Sequence, residues 1–160
     1  SGGTSSLVSS AALYNEILAT HPQYLSCLYK PMFYPHLGGD QPGTSPVFSY
    51  HKGQLTCRYL RQYIELGHEM MGAPLSSIEL EAFDAIDTIS HDASMRIDMM
   101  MEPGDMQLVN NYAVMHSRTS FADFDQVERR RKKLRLWLRC ENARELGYDF
   151  PGREGFPAPN

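Results

Sequence analysis

PGDMQLVNNYAVMHSRTSFADFDQVERRRKKLRLWLR, residues 103–139, is the stretch whose pattern of residue types decides the fold. Pro103-Gly104-Asp105 marks a turn. Met106 to Asn110 reads as a short apolar strand, and Val114-Met115-His116 as a continuation of the same sheet. His116 thus ends an apolar strand and is followed by a polar loop. Further on, a period of two places Arg131, Lys133, Arg135 and Trp137 on one face of a strand. Leu134, Leu136 and Leu138 take the opposite face, which is expected to be buried. Two guanidinium groups lining a pocket call for an anion, and a carboxylate suits their planar fork. A histidine near two arginines in one cavity points to a metal beside a bound carboxylate.

Upstream, the reading alternates between helix and loop. Ser9 and Ser10 precede an apolar-periodic stretch from Ala11 to Leu18, a helix that should stop before His21-Pro22. Pro22 starts a second short helix carrying Leu25 and Leu28, and residues 31–46, rich in Pro and Gly, read as a long loop. Val47–His51, Lys52-Gly53 and Gln54–Tyr59 spell a hairpin. Ser76 and Glu79 form a capping-box pattern ahead of a helix striped by Ile78, Ala82, Ala85 and Ile89. Met95, Ile97, Met99 and Met101 then alternate with Arg96, Asp98 and Met100 as a strand. Tyr59 and Tyr63 serve equally well as pocket-lining or as buried structural tyrosines.

Composition sets the class. The chain of 160 residues suits one domain with a real core, and its 42% hydrophobic and 21% charged residues are ordinary for a globular protein. A net charge of −4 argues against nucleic acid and anionic membranes, despite the basic run Arg129–Lys133. No apolar run reaches the ~20 residues that span a bilayer. Cys27, Cys57 and Cys140 are odd in number and contain no CxxC pair, which predicts free thiols in a reducing, cytoplasmic compartment. Residues 1–146 are read as a portion of a single domain and 147–160 as a loose Pro/Gly-rich tail.

The spacing PGD-x-Q-x-x-N-N-x-x-x-x-H-x-R-T-x-F, followed by R-x-x-x-R-L-W-L, resembles the C-terminal signature of the taurine dioxygenase-like (TauD/TfdA) family of Fe(II)- and 2-oxoglutarate-dependent oxygenases. The resemblance implies a mainly β fold with flanking helices, the double-stranded β-helix or jelly roll, with its N-terminal strands missing from this chain. It implies His116 as the last member of a two-His-one-carboxylate iron triad, with Asn111 at the family's asparagine. It implies Arg131 as the clamp on the far carboxylate of 2-oxoglutarate and Arg135 near the end that chelates iron. The family's Gly-Gly-x-Thr/Ser motif matches Gly2-Gly3-Thr4-Ser5, and the spacing to the following helix favours Ser5 as the co-substrate hydroxyl. The reaction implied couples decarboxylation of 2-oxoglutarate to hydroxylation, or a related C–H oxidation, of a small molecule by dioxygen.

The sequence departs from that family in one respect. The first two iron ligands come from an H-x-D or H-x-E upstream of the Gly-Gly motif, and neither pattern occurs here. His91-Asp92 is adjacent, and His36 and Asp40 flank Gly38-Gly39 in the loop. The opening Ser1-Gly2-Gly3-Thr4-Ser5-Ser6-Leu7-Val8 lacks an initiator Met and runs straight into an apolar segment. A preceding segment carrying H-x-D is therefore expected. Without it, the alternative is a metal-free, non-catalytic homologue that binds a carboxylate ligand or a partner protein. Neither the prime substrate nor the oligomeric state is legible.

Overall fold

The computed structural model describes residues 2–35, 41–138 and 140–151. The elements run β1 (Ser5–Ser9), α1 (Ser10–Thr20), a 3-10 turn and α2 (Leu25–Leu28), β2 (Met32–Tyr34), β3 (Gly43–Ser45), β4 (Phe48–His51), β5 (Gln54–Cys57), α3 (Arg61–Met70), α4 (Ser77–His91), β6 (Arg96–Met99) and β7 (Val114–Arg118). Helix and strand are mixed. Among the described residues three helices run 10–15 residues, and no strand exceeds five. The mainly β expectation is corrected in that sense. The strands form three antiparallel sheets, of order β6-β1-β7, β2-β3 and β4-β5.

Local chemistry explains the helices. Ser9 caps α1, its hydroxyl accepting from the Ala12 N–H, and Pro22 ends it as the sequence requires. Ser76 and Glu79 complete the capping box of α4, whose buried stripe is Ala82, Phe83, Ile86 and Ile89 rather than one beginning at the exposed Ile78. Phe83 and Ile86 lie on the buried side of α4, which packs against α1 and α2. Arg61 of α3 ties to Asp84 and Asp87 of α4 at 2.7 and 2.8 Å. The β4-β5 hairpin turns on Lys52 and Gly53, both with positive φ, the primed turn that matches strand twist. Within the expected loop 31–46, Met32–Tyr34 and Gly43–Ser45 pair as short strands, because Met32, Tyr34 and Ser45 have a core to enter.

The core lies between α1, α2, α3, α4 and the hairpin, where Leu13, Ile17, Leu28, Tyr34, Phe48, Ile64, Phe83 and Ile86 are fully buried. Val8 and Met115 bring one face of the three-stranded sheet to it. Within the stretch 147–160 expected as a loose tail, Phe150 is buried against Tyr112 and under Arg58. Gly152, Gly155, Pro157 and Pro159 lie outside the described residues, as do His36, Asp40 and Arg139.

Two other expectations are corrected. Met106 and Leu108 are exposed and residues 106–110 form no strand. Residues 131–138 form none either, and Leu134, Leu136 and Leu138 are 98%, 81% and 72% exposed. The reason is that this segment meets the rest of the chain through its arginine side. Among the described residues no strand or helix lies over its leucines.

Candidate active site

The pleat of the three-stranded sheet decides which residues meet. Ser5 lies opposite Arg118 on one side and Met99 on the other, and Leu7 opposite His116 and Ile97. Side chains at i and i+2 share a face. Ser5, Leu7, His116, Arg118, Ile97 and Met99 therefore occupy the face turned away from the Val8–Met115 core side. The pairing continues past the strand ends, with the Thr119 N–H donating to Thr4, the Gly3 N–H to Ser120, and a bridge between Gly2 and Phe121.

Segment 131–135 runs across the Gly3 end of this face. The Arg131 guanidinium donates from one nitrogen to the Gly3 carbonyl at 3.1 Å and from the other to the Met101 carbonyl at 3.2 Å. Gly3 has φ +80°, and a Cβ there would lie 2.8 Å from that Arg131 nitrogen. The positive φ favours glycine at this motif position, and a Cβ there would push the end of the motif arginine aside. The Arg135 charge acts on the His116 imidazole.

His116 Nε2 sits 3.0 Å from the Asn111 side-chain oxygen. A carboxamide oxygen only accepts, so Nε2 carries the proton and the lone pair lies on Nδ1. Loss of solvation around the ring, and then the Arg135 charge, hold the imidazole below the usual histidine range. A neutral imidazole with one nitrogen engaged by a neighbouring side chain is the form a metal accepts.

The fit to iron is partial. The resemblance assigns one ligand, His116, and among the described residues no group of three or more His, Cys, Asp or Glu side chains is placed to hold a metal. His91 and Asp92 are committed elsewhere, His91 to the Asp87 carbonyl and Asp92 to Ser94. The fit to a dicarboxylate is better. Arg131 reaches Gly3, two residues before Ser5, and neither Arg131 nor Arg135 is ion-paired among the described residues. Tyr59 is structural, its hydroxyl donating to Asp87 at 2.9 Å. A separate cleft of about 460 Å³, lined by Tyr14, Asn15, Tyr29 and Tyr50, includes none of the expected site residues. Sequence reasoning missed Arg118, although its position two residues after His116 places it on the same face.

Comparison with known proteins bears on this arrangement. The family model for the taurine catabolism dioxygenase TauD, TfdA family matches residues 1–137. FR-33289 synthase of Streptomyces rubellomurinus is 34% identical over 153 residues, covering 91% of this chain and 45% of that protein. The taurine hydroxylase-like protein SAT17 of Stachybotrys chartarum is 29% identical over 140 residues, covering 84% and 36%. The chain thus spans less than half the length of these curated relatives.

Proposed function

Because the chain belongs to the taurine catabolism dioxygenase TauD, TfdA family, we propose that it is the co-substrate-binding portion of an Fe(II)/2-oxoglutarate-dependent oxygenase. The family is in general Fe(II)- and 2-oxoglutarate-dependent, and the reaction class is decarboxylation of 2-oxoglutarate to succinate and CO2 coupled to oxidation of a small molecule by dioxygen. A jelly roll would be completed by strands outside residues 1–146. The observation that carries the reading is that Ser5 and His116 share one face of one sheet, while Arg131 bonds the Gly3 carbonyl at its end and the Arg135 charge reaches His116.

Each residue has a role that its surroundings support. Arg131, steadied by two backbone carbonyls, presents its remaining N–H edge to the far carboxylate of 2-oxoglutarate, with the Ser5 hydroxyl beside it. Arg135 would sit at the end nearer the metal, and lost solvation, with the Arg135 charge second, favours the neutral His116 imidazole that a metal accepts. The remaining ligands to iron would come from a segment bearing H-x-D. We place the protein in the cytoplasm on its unpaired cysteines alone.

A second reading is favoured by one observation: among the described residues no three His, Cys, Asp or Glu side chains gather to hold a metal. It is a metal-free module that binds a carboxylate or a partner protein. Anaerobic calorimetric titration with Fe(II) and 2-oxoglutarate separates the two. Co-substrate binding that requires metal supports the oxygenase, and metal-independent binding of equal strength supports the module. Arg131→Ala is expected to raise the requirement for 2-oxoglutarate far more than that for the prime substrate.

A further inference from the structure

The cations of the candidate site are unevenly placed. Arg135 acts on His116, whereas three others gather at the opposite end of the face, around Gly3. Arg131 holds the Gly3 carbonyl, and the Arg118 Cδ lies 3.8 Å from where a Cβ on Gly3 would stand. Lys133 places its Nζ 3.6 Å from Met101 Sδ, on the residue whose carbonyl accepts from Arg131. Desolvation, and then the charges of Arg131 and Arg118, hold the Lys133 ammonium below the usual lysine range. Among the described residues none of these three side chains is ion-paired with a carboxylate. Three like charges held together without a counter-charge repel one another, and an oxyanion between them removes that repulsion.

Arg118 is positioned for such a ligand. It lies directly across from Ser5 and one pleat from His116. The Phe121 ring, 3.9 Å from the guanidinium carbon, supports the guanidinium through one face and leaves the N–H edges to bind. Arg129 and Arg130, by contrast, are turned to Gln126 and to the backbone of Phe124 and Asp125.

We propose that Arg118 and Lys133 join Arg131 in a single oxyanion site at the Ser5 end of the sheet face, with the remote carboxylate of a dicarboxylic acid as its ligand. Arg118 supplies a second planar fork and Lys133 a point charge. The inference rests on the co-substrate reading and adds two binding residues to it.

Calorimetric titration of the full chain with 2-oxoglutarate, glutarate and pyruvate tests it, since pyruvate keeps the keto acid and lacks the remote carboxylate. Arg118→Gln should weaken 2-oxoglutarate and glutarate about tenfold, the worth of one charge-assisted bond, and leave pyruvate unchanged. Lys133→Gln, at an exposed position where folding is not at stake, should weaken them about threefold, and Arg118→Lys should recover part of the loss. Variants that bind glutarate like the parent, or that lose pyruvate equally, overturn the assignment of Arg118 and Lys133 alone. If the loss appears instead with methylphosphonate while glutarate is unaffected, the oxyanion belongs to another ligand and the proposal also fails. A parent chain that binds neither dicarboxylate removes the co-substrate reading as well.

Discussion

The Arg131 guanidinium occupies the space that a side chain on Gly3 would fill, with one nitrogen donating to the Gly3 carbonyl and lying 2.8 Å from the missing Cβ position. Two motifs separated by most of the chain therefore meet as a lock and its recess. Gly3 is glycine for two independent reasons: its φ of +80° and the arginine it admits.

Gly3→Ala should accordingly act on stability and on the site together. Forcing a Cβ into the left-handed region costs about 1–2 kcal/mol, and the arginine must shift to clear it. Urea denaturation should show that loss, and 2-oxoglutarate affinity should fall with it. Unchanged affinity would mean that Arg131 does not work from this position.

His116 offers a test by pH. Its imidazole is held below the ordinary histidine range, by lost solvation first and by Arg135 second. Since the folded-state value lies under the unfolded one, the unfolded chain takes up the proton first on acidification. The associated stability is complete above pH about 6.5 and is lost as the pH falls through the folded value. An NMR titration should give His116 a pKa below the ordinary histidine value, and Arg135→Gln should move it upward. No movement in that variant would separate Arg135 from the site.

The core makes a prediction of magnitude. Phe83 is fully buried on α4, where its ring meets Tyr59 at 5.8 Å between centroids. Phe83→Ala should cost about 3–5 kcal/mol, enough to threaten a domain whose whole stability is of order 5–15 kcal/mol. Thermal or urea unfolding reads it directly.

The helical half of the fold was legible because its signals are local. Ser9 and Ser76 cap, Pro22 stops, and Lys52-Gly53 turns, each through a few neighbouring atoms. The candidate site residues come from the motifs of the resemblance; period-two spacing holds for His116, which shares a face with Ser5, whereas Arg131 and Arg135 lie in a segment that forms no strand. What spacing does not reveal is whether a strand finds a partner. Met106–Asn110 and Leu134–Leu138 carry strand-like alternation, yet their ladder partners are absent among the described residues and their apolar side chains meet solvent. The face of α4 was misjudged for a related reason: Ile78 and Phe83 both suit a helical stripe, and only the position of α1 and α2 chooses between them. Arg118 was overlooked because a family motif directs attention to the residues it assigns.

The leucine row yields the sharpest test of how the chain exists in solution. A leucine that is 81% exposed contributes little by burial, so Leu136→Ala should change unfolding free energy by less than about 0.5 kcal/mol. The same truncation at a buried strand position costs about 2–5 kcal/mol. β6 and β7 flank β1 with no further strand beyond either among the described residues, and open edges next to apolar side chains favour association. Unfolding of Leu136→Ala should therefore be followed together with light scattering, across a range of protein concentrations. A small, concentration-independent effect fits leucines that face water. A cost of 2 kcal/mol or more that grows with concentration would mean that another copy or another segment covers them, in which case the row is part of a core that these 160 residues only half enclose.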